Sequence, residues 1–274
     1  MRYTQRVIYN GSDISKEIND FRSGTSVIPV TTSQYLYIGS EVPFNNLWID
    51  VAVPNAETSA LTPYIWFGNE WVVAVDIDDE TKSSGVTLAQ DGRLNFMTDR
   101  LKGWDIEQTT EDVSGLTSFK IYNMYWIRLA VSANLSSTTA IKYIGQKFSN
   151  DADLYSLYPD LQNQNLMTAF SSGKQSWEEQ AYIAAEQIIM DLIARNLIQS
   201  RGQVLDWRVF QNPSIHKVAE ICFGGMGKAY EERKKDAHAA YKEAMNVKNF
   251  RLDENKDGKL SGPEKRSSTV FLRR

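Results

Sequence analysis

Tyr125-Trp126-Ile127-Arg128-Leu129-Ala130-Val131 alternates bulky apolar side chains with Arg128. Tyr125, Ile127, Leu129 and Val131 share one face at a period of two, the pattern of a strand covered on one side. Ala140-Ile141-Lys142-Tyr143-Ile144-Gly145 reads as a last strand after it. On the N-terminal side, Gln34-Tyr35-Leu36-Tyr37-Ile38-Gly39 and Leu47-Trp48-Ile49-Asp50-Val51-Ala52-Val53 are short, aromatic and β-branched, with a turn-forming Pro43, Asn45 and Asn46 between them. Leu47, Ile49, Val51 and Val53 share a face of the second. Tyr64-Ile65-Trp66-Phe67 and Trp71-Val72-Val73-Ala74-Val75 are joined by Gly68-Asn69. Glycine at the first central position suits a type II′ hairpin turn. Short strands with frequent turns indicate a sandwich, jelly-roll-like, in the first half of the chain.

The period changes near residues 149–153. From Trp177 a stripe runs through Ala181, Ala184, Ala185, Ile188 and Leu192, steps of three and four that keep one side of a helix apolar. Ile183, Ile189 and Ile193 lie off that stripe and make a second apolar face. Ser176 with Glu179 three residues on has the spacing of a capping box. Pro213 suits the start of another helix. That helix meets Gly224-Gly225, a kink or a break, and continues to about Met245, with Ala237, Ala240, Tyr241 and Ala244 as a seam of small residues and Tyr. The expected architecture is therefore multidomain α+β: a β-sandwich module over 1–148 and a helical bundle over 149–274.

A chain of 274 residues, 42% hydrophobic and 23% charged, has enough apolar material for a core in each half. Its net charge of −4 and pI near 5.4 argue against nucleic acid as the main partner, because the short run Arg233-Lys234-Lys235 is offset by neighbouring acids. The single cysteine, Cys222, excludes an intramolecular disulfide and falls in an apolar helical stretch, where it reads as a core residue. Residues 1–6 lack the apolar run of a leader, and no segment reaches the roughly 18 apolar residues of a membrane span. The expected chain folds in a reducing compartment and has no membrane partner.

One motif carries metal chemistry. Asp253-Glu254-Asn255-Lys256-Asp257-Gly258-Lys259-Leu260-Ser261-Gly262-Pro263-Glu264 fits the twelve-residue calcium loop of an EF-hand. Asp253, Asn255, Asp257 and Ser261 present side-chain oxygens, Lys259 its carbonyl, and Glu264 the closing bidentate carboxylate. The alternative is an Asp/Asn-rich turn. No second loop pairs with this one, so a bound Ca2+ is expected to be structural. Asp76-Ile77-Asp78-Asp79-Glu80 is read as a solvated acidic loop. His216 and His238 are the only histidines, and no nucleophile elbow, phosphate loop, dinucleotide fingerprint or C-x-x-C pair occurs, so the expected class is non-enzymatic. Trp66, Trp71 and Trp104 either fill the space between sheets or stack on a sugar.

From Asp153 onward the chain resembles the head-to-tail connector, or adaptor, proteins of tailed bacteriophages. The resemblance rests on Asp153-Leu154-Tyr155 with Tyr158-Pro159-Asp160, the helix bearing Ala181, Ala184, Ala185 and Ile188, Leu205-Asp206-Trp207, and a last helix bearing Tyr230, Ala237, Tyr241 and Ala244. The first half resembles sandwich modules of phage structural proteins through Trp66-Phe67-Gly68-Asn69-Glu70-Trp71-Val72 and Tyr125-Trp126-Ile127-Arg128-Leu129. A large β module ahead of the helices departs from the minimal adaptor. The resemblance implies a homo-oligomeric ring, usually a dodecamer, at the neck of the virion, assembled in the host cytoplasm. Its partners would be the portal protein above, the next neck or tail protein below, and collar or fibre proteins outside. Genomic DNA would pass through without specific binding. The basic, apolar tail ending Val270, Phe271, Leu272, Arg273 and Arg274 is expected to dock onto the portal. The alternative reading is a collar, tail or baseplate protein whose β module binds fibres or host glycan.

Overall fold

The computed structural model describes residues 5–22, 24–98, 103–106, 113–119 and 123–246. They form an α+β chain of two compact units, residues up to Gly145 in the first and from Gln146 in the second. The calcium-type loop 253–264 and the tail 265–274 lie outside the described residues.

The first unit contains β1 (Gln5–Tyr9), β2 (Ser12–Asp13), a short helix α1 (Ser15–Asn19), β3 (Ser26–Val27), β4 (Leu36–Ser40), β5 (Asn46–Val53), β6 (Leu61–Phe67), β7 (Glu70–Val73), β8 (Val75–Asp79), β9 (Gly92–Met97), β10 (Tyr125–Val131) and β11 (Ala140–Gly145). Two antiparallel sheets result, ordered β2-β1-β4-β10-β6-β7 and β3-β11-β5-β9-β8. Register builds their common core. Ile127 stands between Ile38 and Ile65, and Leu129 is opposite Leu36. Leu47, Ile49, Leu94, Phe96, Ile141 and Ile144 of the second sheet bury in the same cluster. Arg128 and Trp126 point to the opposite face, as strand alternation requires.

Three expectations are corrected here. Gly68 and Asn69 both have positive φ, +57° and +64°, so the β6–β7 turn is type I′ rather than II′. Asparagine tolerates the left-handed region almost as glycine does, which lets the second central residue adopt it. The strand expected over 71–75 divides at buried Ala74, whose N–H donates to the Pro63 carbonyl at 3.0 Å. The chain thereby crosses from the edge of one sheet to the edge of the other. The acidic run is accordingly the solvent-exposed edge strand β8 rather than a loop. Asp79 turns the corner beyond it, its carboxylate accepting from Thr81 N and from the Thr81 and Thr87 hydroxyls.

Gly39 shows how tightly the outer face of the first sheet is packed. It is the cross-strand partner of Trp126, and a Cβ there would lie 2.8 Å from the indole. Only hydrogen leaves room for the ring.

The second unit contains α2 (Asp151–Leu157), α3 (Gln164–Phe170), α4 (Glu178–Ala194), α5 (Gln211–Gly225) and α6 (Glu231–Ala244), with 3-10 turns at Pro159–Gln162, Arg201–Gln203, Trp207–Phe210 and Lys228–Tyr230. Asn150 caps α2 in a capping box with Asp153. The stripe expected on α4 is buried throughout, from Trp177 to Leu192. The capping box expected at Ser176 does not form. The helix begins one residue later, with Trp177 at the cap position and no side-chain cap bond; Ser176 Oγ accepts from Glu178 N rather than Glu179 N, and the Trp177 N–H donates to the Asp151 carboxylate at 3.0 Å.

The helix expected to continue to Met245 is two helices. α5 stops at Gly225, Gly227 turns back with φ +84°, and α6 returns antiparallel. Phe223 stacks on Tyr230 at 6.0 Å, Glu220 meets His238 at 3.1 Å, and Lys217 Nζ lies 4.6 Å from the Tyr241 ring centroid. Gly225 is needed for a packing reason, since a Cβ there would stand 2.1 Å from the Phe170 ring on α3. The helix begins two residues before Pro213, which still lies in the first turn, where a missing N–H costs nothing.

Candidate functional site

Two surfaces and one buried polar seam hold the chemistry of the described residues. On α4, Ile183, Gln187, Met190 and Ala194 follow steps of four, three and four and so line one side of the helix. This is the side away from the core. Ile183 is half-buried, Gln187 and Ala194 are exposed, and Met190 is 60% exposed. Glu186 flanks the stripe and is engaged by Arg201 at 3.4 Å. A helix with apolar or uncharged residues on both its inward and outward faces has the composition of a covered helix. Of the second apolar face expected there, Ile189 is buried, and Ile183 and Ile193 are half-buried.

The second surface is the outer face of the six-stranded sheet. Trp66 and Trp126 are buried there with Ile8, Val113, Leu116 and Met124, while Tyr37, Trp71 and Phe119 pack against them half-buried. Trp66 and Trp71, 5.2 Å apart, thus occupy the outer face rather than the space between the sheets. Trp104 belongs with the inter-sheet core, its ring 5.2 Å from Phe44. Arg128 sits among Tyr35, Tyr64 and Trp71.

The polar seam runs through the helical unit. Asp151 accepts from Trp177 N and the Tyr155 hydroxyl, and burial raises its carboxyl above the ordinary range. Nearly buried Lys147 pairs with Glu178, which also accepts from the Tyr182 hydroxyl at 3.1 Å. The Tyr241 hydroxyl donates to Asp191 and ties α6 to α4, and burial with that carboxylate pushes the phenol far up. Burial also pushes the Cys222 thiol well up, as suits a core residue. The two histidines have separate partners: His216 Nδ1 is 2.8 Å from the Tyr158 hydroxyl, and His238 faces Glu220.

Burial holds the His216 imidazole below its ordinary 6.5, with Glu243 opposing the shift. The unfolded chain therefore binds a proton near pH 6.5 that the folded unit refuses until a lower pH. Stability present above that value is expected to fall as pH falls from 6.5 through the folded value. Urea midpoints of helix unfolding between pH 7.5 and 5 check this, and His216→Gln should flatten that part of the profile.

Among the described residues no group of three or more His, Cys, Asp or Glu side chains is placed to hold a metal. The expected ligands Asp253, Asn255, Asp257, Lys259, Ser261 and Glu264, and the docking residues Val270, Phe271, Leu272, Arg273 and Arg274, lie outside the described residues. No helix among the described residues is long and apolar enough to cross a membrane. Sequence reasoning missed the grouping around Arg128. Its members come from three strands and from Tyr35, the residue before β4, and only the register assembles them. Comparison with protein-family models, curated proteins and solved structures finds no match.

Proposed function

We propose that the chain is a structural protein of the head-to-tail connector kind, a homo-oligomeric ring at a virion neck built by its helical unit. The observation that carries this reading is the outward stripe of α4, uncharged from Ile183 to Ala194 on a helix whose opposite side is already buried. A second copy of the chain is the occupant the reading assigns to it. Ring closure needs two different patches on each subunit, and this stripe is one of them.

The residues behind the resemblance support it, because they hold the helical unit together. Leu154, Ala181, Ala184, Ala185, Ile188, Leu205, Ala237, Tyr241 and Ala244 are buried. Tyr158 reaches His216, and Tyr230 stacks on Phe223. In this reading the β unit is a jelly-roll-like collar or platform, and net negative charge suits a channel along which DNA slides without sticking. A second reading, a collar, tail or baseplate protein that binds fibres or glycan, draws on the aromatic outer face of the six-stranded sheet.

The tail 265–274 docks onto the portal in this account, through Val270, Phe271 and Leu272 flanked by basic residues. Deleting residues 265–274 is expected to abolish co-sedimentation with portal rings, whereas undiminished binding would eliminate the docking role. The loop 253–264 supplies a structural Ca2+. Adding Ca2+ to chelator-treated protein should raise its thermal midpoint, and Glu264→Gln, which removes the bidentate carboxylate, should abolish that rise.

A further inference from the structure

We propose that the outer face of the six-stranded sheet binds a carboxylate-bearing saccharide, with the Arg128 guanidinium taking the carboxylate and the surrounding rings taking the sugar. Cross-strand register builds the site. Arg128 on β10 stands directly between Tyr37 on β4 and Tyr64 on β6. Tyr35 precedes Tyr37 by two residues, and Trp71 on β7 precedes the partner of Tyr64, Val73, by two, so both share the face. The guanidinium carbon lies 4.4 Å from the Tyr35 centroid, 4.7 Å from Tyr64 and 5.1 Å from Trp71. All of these side chains are half-buried, so the group is set into the surface yet open to it. Trp71 is fixed in place, since its Nε1–H donates to the Ser114 carbonyl at 3.0 Å.

What marks this arginine is the lack of an acceptor among the described residues. No carboxylate or carbonyl among the described residues takes its hydrogens, and Nε is shielded from solvent with no acceptor among them. The two Nη groups are not shielded. Aromatic faces attract the cation, but they leave its in-plane N–H donors unused. A half-buried charge without a counter-ion is an unfavourable arrangement that an incoming anion relieves. Two parallel donors at the end of a rigid plane match a carboxylate in a paired grip.

The rings select the rest of the ligand. The C–H groups of a pyranose present a flat, weakly apolar surface that packs on tyrosine and indole faces, and an acidic peptide offers no such surface. A uronic or sialic acid combines the flat ring with the carboxylate. The site does not depend on the assembly reading, because a monomer would bind the sugar equally well.

The test titrates the full chain with trigalacturonate and with 3′-sialyllactose, followed by tryptophan fluorescence and calorimetry. Methyl-esterified trigalacturonate, lactose and a glutamate oligomer run in parallel. Saturable binding of an acidic sugar is expected, at least ten-fold tighter than its neutral counterpart and than the glutamate oligomer. Arg128→Gln should lose ten-fold or more, Arg128→Lys less, and Tyr64→Ala several-fold with the guanidinium still present, each checked for an unchanged circular dichroism spectrum. Should Arg128→Gln fail to fold, Arg128→Lys and Tyr64→Ala carry the comparison. Equal binding of acidic and neutral sugars, comparable binding of the glutamate oligomer, saturable binding of neither acidic sugar, or full affinity in the folded arginine variants would overturn the proposal.

Discussion

Trp177→Ala is expected to destabilise the helical unit by about 3–5 kcal/mol, the range for deleting a fully buried aromatic side chain. Trp177 is fully buried at the point where α2, α3, α4 and α5 converge, in one cluster with Leu154, Met167, Ala181 and Cys222. Its ring meets Phe170 edge-on at 5.2 Å, and its Nε1–H donates to the Leu161 carbonyl at 2.8 Å. Truncation therefore leaves a cavity and an unpaired buried carbonyl together. Domain stabilities are about 5–15 kcal/mol in total, so the variant should lie near the unfolding threshold at 37 °C. Chemical denaturation followed by helix circular dichroism measures the loss. Trp177→Phe, which keeps most of the volume, should cost only about 1–3 kcal/mol through the lost hydrogen bond. A Trp177→Ala chain as stable as the parent would mean that this cluster is not the core of the unit.

Met190→Arg should have the opposite profile. Met190 is 60% exposed in the isolated subunit, and a substitution at such a position typically changes stability by less than about 0.5 kcal/mol. If the stripe from Ile183 to Ala194 is covered by a second copy, the substitution buries an unpaired charge in every interface of the ring. An uncompensated buried charge costs about 3–5 kcal/mol, which is a weakening of more than about 100-fold per contact. Association should therefore disappear while the melting curve of the subunit stays in place. Gln187→Glu, at the next position of the same stripe, should weaken association in the same direction.

Legibility in the sequence followed how local each signal was. β10 is read to the residue because its alternation is complete and Arg128 marks the outward side. β11 spans the residues expected although its register shifts at Ile141–Tyr143, which puts Ile141 and Ile144 in the same core. β8 escaped because Asp76, Asp78, Asp79 and Glu80 read as a solvated loop, and the short Val75/Ile77 alternation belongs to an edge strand exposed on both faces, with no buried side to mark it. Gly68-Asn69 announced a two-residue turn, but glycine accepts either sign of φ, so the turn type depended on what Asn69 would do. At the start of α4 the local Ser176 signal gave a cap one residue too early: Trp177 holds the cap position, and its N–H donates to Asp151, 26 residues upstream, a contact no local window contains. The break after Gly225 was signalled by its two glycines. The Phe170 ring that leaves no room for a Cβ at Gly225, and the reversal at Gly227 with φ +84°, were not.

The candidate surfaces divide in the same way. The outward stripe of α4 is a helical period and could have been traced once the inward stripe was known. Arg128 on β10 and its three rings, Tyr35 just before β4, Tyr64 on β6 and Trp71 on β7, lie up to 93 positions apart, and no window of sequence brings them together.

Mass photometry of the purified full chain, alone and with portal rings, tests the assembly claim most directly. The account predicts a closed species of many subunits, near twelve, in at least one of the two conditions. Met190→Arg should return it to the 31.2 kDa monomer. A chain that stays monomeric in both conditions, or a multimer indifferent to Met190→Arg, would contradict it.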